Sequence, residues 1–138
     1  MNTTNENDRI TIWPTLRYRD APAAIRFLVE AFGFTERVLY PGEQEGSVAH
    51  AELRWPGGGG VMLGSVRADS TISGLAPGTG SIYVATDEPD RIYQRACDAG
   101  ATIVAEIREE EYGSRGFTVR DPEGVHWSFG TYGGSGTV

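Results

Sequence analysis

The sequence predicts an α+β protein made of two tandem βαβββ modules, and two observations carry this prediction. Two helix signals of equal length, Asp20–Gly33 and Asp87–Gly100, each follow one strand signal and precede three. A shift of about 66 residues also lays residues 51–65 over residues 117–131. The matched pairs include Arg54 with Arg120, Pro56 with Pro122, Leu63 with Phe129, and Gly64 with Gly130. Element order and residue identity therefore repeat together.

The repeat divides the chain into five segments. The first βαβββ module covers residues 10–65 and the second covers residues 81–132. Residues 66–80 lack periodicity and are predicted to be a linker loop. The polar residues 1–9 and the glycine-rich residues 133–138 are predicted to be a flexible N-terminus and a flexible tail.

The first module opens with a predicted strand and helix. The strand covers Ile10–Tyr18, and alternation assigns its side chains to two faces. The face toward the helix is expected to hold Ile10, Ile12, Leu16 and Tyr18, and the opposite face holds Trp13, Thr15 and Arg17. Asp20 is the predicted N-cap of a helix that runs to about Phe32 and ends at Gly33 in the left-handed conformation.

Three further strands complete the first module, over residues 34–40, 47–55 and 61–65. In the strand Ser47–Trp55, alternation directs Ala51, Leu53 and Trp55 to the core. The opposite face then holds His50, Glu52 and Arg54.

The second module repeats this pattern. A strand over Ser81–Asp87, a helix from about Pro89 to Ala99 and a strand over Thr102–Ile107 precede a hairpin. The hairpin turns at Asp121–Gly124, where proline and glycine favour a tight turn. Beyond the turn, the predicted core face holds Val125, Trp127 and Phe129, and the opposite face holds His126, Ser128 and Gly130.

Composition excludes several classes of partner. The chain has 12 basic and 19 acidic residues, a net charge of -7, and its arginines are dispersed, so we expect no nucleic-acid binding. No apolar run is long enough to span a bilayer, so we expect no membrane partner. The N-terminus lacks the features of a signal peptide, and the single cysteine excludes an intrachain disulfide. We therefore expect a cytoplasmic protein.

Three stretches resemble the vicinal oxygen chelate superfamily, which includes glyoxalase I, extradiol dioxygenases and bleomycin-resistance proteins. They are Leu16-Arg-Tyr-Arg-Asp20, Ala31-Phe-Gly-Phe34 and Asp121-Pro-Glu-Gly-Val-His-Trp127. The resemblance covers about residues 10–132. It implies the glyoxalase/bleomycin resistance fold, in which curled mixed sheets surround a cavity, commonly in a homodimer.

The same resemblance implies where a metal would bind. In the metal enzymes of the family, His and Glu side chains that face the cavity hold one divalent ion. The corresponding positions here are Trp13, Met62, Ser81 and Ser128, none of which is a competent ligand. We therefore predict no metal and no cofactor. His50, Glu52 and His126 could replace them as a two-histidine, one-carboxylate site, or they could form a solvated polar strand face.

These observations predict a metal-independent binding protein with no catalytic residues, similar to bleomycin-resistance proteins that sequester an antibiotic. A planar aromatic metabolite is an equally suitable ligand, and the likeness suggests a role in antibiotic resistance. The alternative is a glyoxalase- or dioxygenase-like enzyme, a lyase, isomerase or oxygenase, that uses His50, Glu52 and His126. The predicted ligand-binding residues are Trp13, Thr15, His50, Glu52, Met62, Ser81, Tyr83, Tyr112, His126 and Ser128.

Overall fold

The structure, a computed structural model, describes residues 10–67, 75–111 and 113–134. The first module contains β1 (Thr15–Tyr18), α1 (Ala21–Phe27, continued by π-helical turns over Leu28–Phe32), β2 (Thr35–Pro41), β3 (Val48–Arg54) and β4 (Gly60–Ser65). The second contains β5 (Ser81–Ala85), α2 (Pro89–Asp98), β6 (Thr102–Glu109), β7 (Arg115–Arg120) and β8 (His126–Gly130).

The two four-stranded sheets have the same topology. Their strand orders are β1-β4-β3-β2 and β5-β8-β7-β6, and in each sheet the first strand pairs in parallel with the last. The other pairings are antiparallel. The predicted α+β fold of two βαβββ modules is thus confirmed.

The first helix begins and ends where the sequence predicts, but its second half is wider than a regular α-helix. The side chain of Asp20 accepts a hydrogen bond from the backbone N–H of Ala23 at 3.1 Å, and Gly33 has a φ of 97°. The π-helical turns leave the carbonyls of Val29 and Glu30 near α2. There they accept hydrogen bonds from the guanidinium of Arg95 at 3.2 and 2.8 Å. Through these bonds the second module caps the first helix.

The first strand is shorter than predicted, and one assignment of its faces is wrong. Regular pairing starts at Thr15, opposite Met62, and β4 itself begins only at Gly60. Residues before Trp13 therefore extend beyond the neighbouring strand, and Pro14 has no N–H to donate. Ile12, which alternation placed toward the helix, is 86% exposed for this reason.

One hydrophobic core unites the two modules. Phe32 of the first module packs against Trp127 and Phe129 of the second, with ring centroids 5.3 and 4.8 Å apart. Phe34 and Trp55 add further aromatic contacts across the same boundary. Because both apolar sheet faces are buried in this core, the polar face of each sheet turns to the outside of the chain.

The Asp121 turn joins the modules at a second point. One carboxylate oxygen of Asp121 accepts three backbone N–H bonds from residues 123–125. The other accepts the hydroxyl of Tyr18 at 2.5 Å and the indole N–H of Trp127 at 3.0 Å. Beside it, the carboxylate of Glu123 accepts the backbone N–H groups of Arg19 and Asp20, both at 2.7 Å. Two acidic side chains of the second module thereby hold the end of β1 and the entry to α1.

Candidate functional site

The first sheet presents a polar face made of alternate residues of its strands. The register places Thr15 beside Met62, and Met62 beside Glu52, across three adjacent strands. A depression of about 80 Å³ lies on this face and is lined in part by Thr15, Arg17, His50 and Met62. We call this surface the first polar face, and its members are Trp13, Thr15, Arg17, His50, Glu52, Arg54 and Met62.

His50 and Glu52 form a pair on this face. Nε2 of His50 lies 2.9 Å from Oε2 of Glu52, and both side chains are partly exposed. The ring of Tyr40, opposite His50 on β2, stacks on the imidazole with centroids 6.3 Å apart. An ionised carboxylate only accepts hydrogen bonds, so the contact forms a hydrogen bond in the tautomer that carries its proton on Nε2. This places a hydrogen-bonded histidine and carboxylate at the rim of the depression.

Trp13 lies where the glycine at position 60 leaves room for it. A Cβ atom added at Gly60 would meet ring atom Cζ3 of Trp13 at 3.0 Å. By alternation that missing side chain would point to the same face as Met62. The indole N–H donates to the carbonyl of Ile10 at 3.2 Å, which ties the ring to the chain before β1.

The second sheet presents its own polar face, with Ser81 and Tyr83 on β5, Thr118 on β7, and His126 and Ser128 on β8. A depression of about 230 Å³ lies here, lined in part by Tyr83, Thr118 and Ser128. Ser128 and Thr118 share a hydrogen bond of 2.8 Å between their hydroxyl oxygens. The hydroxyl of Tyr83 donates to the carbonyl of Tyr132 at 2.6 Å. We call these five residues the second polar face.

The described candidate residues are thus divided between the two faces. Trp13, Thr15, His50, Glu52 and Met62 lie on the first polar face, and Ser81, Tyr83, His126 and Ser128 lie on the second. Tyr112, the remaining candidate, lies outside the described residues. Within the described residues the two polar faces do not enclose a common cavity, because the sheets pack against each other through their apolar faces.

The side chains on these faces do not fit a metal ion within one chain. In the described ranges, no group of three or more His, Cys, Asp or Glu side chains is placed to hold one. His50 and Glu52 are together, but His126 belongs to the other sheet, where it lies opposite Ser81 and Arg120. The triad proposed as a substitute is therefore not brought together by one copy of the chain.

Two features of this region were not predicted. Trp55, which the alternation placed toward the core, is partly buried and lines a cleft of about 300 Å³ between the modules, together with Phe34, Ile82 and the Gly57–Gly60 turn. Arg54 carries a buried side-chain nitrogen, Nε, without a hydrogen-bond partner among the described residues. Alternation had placed Arg54 beside His50 and Glu52, but only the packing shows that its Nε is shielded.

Comparisons with known proteins agree on a family. A protein-family model described as Glyoxalase/Bleomycin resistance protein/Dioxygenase superfamily matches residues 9–129. The uncharacterized protein Mb0911c of Mycobacterium bovis is 38% identical over 125 residues, which cover 85% of this chain and 80% of that protein. The uncharacterized protein Rv0887c of Mycobacterium tuberculosis shows the same identity over 125 residues and is covered to 71%.

Solved structures show the same fold. The crystal structure of TioX from Micromonospora sp. ML1 is similar with a TM-score of 0.72 and 31% identity, over 87% of this chain and 98% of that chain. A superfamily member from Sphaerobacter thermophilus DSM 20745 has a TM-score of 0.66 at 19% identity, over 88% and 97% of the two chains. At that identity the likeness concerns the fold alone.

Proposed function

Because this chain belongs to the Glyoxalase/Bleomycin resistance protein/Dioxygenase superfamily, we propose that it binds a planar aromatic small molecule without a metal ion. The ligand would be an antibiotic or another aromatic metabolite that the protein sequesters in the cytoplasm. In this proposal the binding cavity forms between the first polar face of one copy and the second polar face of another.

The chemistry of the side chains carries the proposal. The positions that supply metal ligands in enzymes of the family hold an indole, a thioether and two hydroxyls here, at Trp13, Met62, Ser81 and Ser128. None of these suits a hard or borderline divalent ion. They do suit a flat ligand, because an aromatic ring offers a stacking face and hydroxyls offer hydrogen bonds. Enolate or oxygen chemistry on a metal therefore has no support from this set.

The size of the depressions supports a binding site to which two copies of the chain contribute. Pockets for drug-sized ligands span about 300–1,000 Å³, whereas the depressions on the two polar faces measure about 80 and 230 Å³. The edge strands β2 and β6 also expose Leu39, Tyr40 and Val104 to solvent. Exposed apolar residues on unpaired edges favour association with another chain. A homodimer would cover these edges and enlarge both depressions.

A second candidate function rests on the His50–Glu52 pair. A carboxylate 2.9 Å from an imidazole is an arrangement that can accept and relay a proton. A metal-free enzyme of the lyase or isomerase type could use Glu52 as a general base. Conversion of a bound compound, lost in Glu52→Gln with binding retained, would favour this enzyme over the binding protein.

The test is a ligand screen by thermal shift, run with added divalent metal and with chelator. A planar aromatic compound at a hundredfold excess over its Kd should stabilise the fold by about 2.7 kcal/mol, equally in both conditions. Trp13→Ala should reduce this stabilisation by about 1 kcal/mol or more, whereas Trp13→Phe, the matched control, should retain most of it. Stabilisation that appears only with metal, or no stabilisation by any planar compound, would refute the proposal.

Mixing two variants with impaired ligand binding tests whether the cavity forms between two copies of the chain. Trp13→Ala removes an aromatic ring from the first polar face, and Tyr83→Ala removes one from the second. If each cavity combines the two faces from different copies, each mixed dimer contains one intact site and one site with both substitutions. After random exchange half of the dimers are mixed, so about a quarter of all sites are intact. No recovery after exchange of subunits would place the whole site within one copy.

A further inference from the structure

The first polar face contains one side-chain donor, Nε of Arg54, that has no hydrogen-bond partner among the residues that the structure describes. Within residues 10–67, 75–111 and 113–134, Nε of Arg54 is the only buried side-chain nitrogen or oxygen that makes no hydrogen bond. A buried polar atom of this kind costs free energy unless something satisfies it. Such an atom calls for an explanation, and one explanation is a bound group that supplies the missing contact.

The neighbours of Arg54 do not supply that contact. Glu52, two residues earlier on the same face, is engaged by His50 at 2.9 Å. The strands beside β3 place Gly60 and Thr35 opposite Arg54. Gly60 has no side chain, and Thr35 is exposed at the edge of the sheet. The carboxylate of Glu52 is therefore taken, and Nε of Arg54 has no partner among the described residues.

Trp13 and Arg54 are adjacent across Gly60. A Cβ atom at Gly60 would lie 3.0 Å from Cζ3 of Trp13 and 3.3 Å from the Cα atom of Arg54. A flat ring stacked on the indole could thus direct a substituent along the sheet to the arginine. Guanidinium groups bind carboxylates through strong, charge-assisted hydrogen bonds.

Resting on the proposed function, we propose that the ligand is an aromatic acid. Its ring stacks on Trp13, and the Arg54 side chain rotates so that Nε, which is shielded from solvent in the free chain, donates a hydrogen bond to its carboxylate. A preference for an anionic ligand runs against the net charge of -7, which by itself would disfavour an anion. A preference for the acid over its neutral counterpart therefore has to come from a local donor.

The experiment compares two probes with the same fused ring, naphthoate and naphthylmethanol, by calorimetric titration of the full chain. The protein should bind naphthoate about tenfold or more tightly than naphthylmethanol, the ratio expected for a hydrogen bond between charged groups. Arg54→Met should bind both probes equally. Its melting temperature should equal or exceed that of the unchanged protein, because the unpaired donor is removed. Arg54→Lys, which keeps the charge without the guanidinium, should show a reduced preference for naphthoate over naphthylmethanol. This variant serves as the test if Arg54→Met does not fold.

The internal repeat offers a matched control. Arg120 occupies the position in the second module that Arg54 occupies in the first, and it is exposed. Arg120→Met should therefore keep the full preference for naphthoate. A preference that persists in both Arg54 variants, or is absent from the unchanged protein, would overturn the inference. Failure of both probes while other planar compounds bind would overturn it as well, and failure of every planar compound would reject the proposed function too.

Discussion

Replacing Tyr18 with phenylalanine tests whether the Asp121 turn holds the two modules together. Tyr18 is fully buried, Asp121 is 4% exposed, and their oxygen atoms lie 2.5 Å apart. The substitution removes one hydroxyl and keeps the ring, so it opens almost no cavity. It leaves one carboxylate oxygen with only the indole N–H of Trp127 at 3.0 Å. Since a hydrogen bond to a charged group contributes about 1.5–3 kcal/mol, we expect the free energy of unfolding to fall by that amount.

Urea denaturation followed by tryptophan fluorescence and circular dichroism measures this change. The matched control is Tyr83→Phe, which removes the same group from an exposed hydrogen bond to the carbonyl of Tyr132. That variant should lose about 0.5–1 kcal/mol. If Tyr18→Phe loses no more than this control, the buried contact does not stabilise the junction and the reasoning fails.

The stability of the Tyr18→Phe variant should also depend on high pH differently from that of the unchanged protein. Burial, reinforced by the Asp121 carboxylate, raises the pKa of the Tyr18 hydroxyl well above its ordinary value. In the unfolded chain a tyrosine ionises near pH 10, so the unfolded state releases a proton there that the folded state retains. The stabilisation is complete below pH 10 and falls above it by about 1.4 kcal/mol per pH unit. Tyr18→Phe should therefore lose less stability between pH 10 and pH 11 than the unchanged protein, and equal losses would contradict the assignment.

Three further predictions concern the site. Trp13→Ala should weaken ligand binding by about 1–4 kcal/mol, as for a central aromatic contact, with little change in melting temperature; strong destabilisation with unchanged affinity would mean that Trp13 only fills space. Elemental analysis should find no stoichiometric Ni, Zn, Fe or Mn, because the residues at the ligand positions cannot hold them. About one metal per chain, lost in His50→Ala, would count against that. Light scattering at tens of micromolar should give the mass of a dimer, since the edges of both sheets are open; a strictly monomeric mass would argue for a site within one copy.

How much of the site was predictable depends on the range of the interactions involved. Alternation along β3 places His50, Glu52 and Arg54 on one face, because successive side chains of a strand point to opposite sides. It could not show that His50 pairs with Glu52 while Nε of Arg54 has no partner in the part of the chain that the structure describes. That difference depends on side-chain conformation and on how closely neighbouring strands shield each atom.

The sequence by itself determined the repeated modules, the limits of the first helix and the apolar face of each sheet. Capping at Asp20, the left-handed turn at Gly33 and strand alternation are all decided by neighbours in the chain. Only the tertiary structure decided that Ile12 lies beyond the end of β4, and that Asp121 accepts a hydrogen bond from Tyr18. It also decided that the two polar faces are separated within one copy. These outcomes depend on how two modules with the same internal pattern pack against each other, and local periodicity carries no information about that packing.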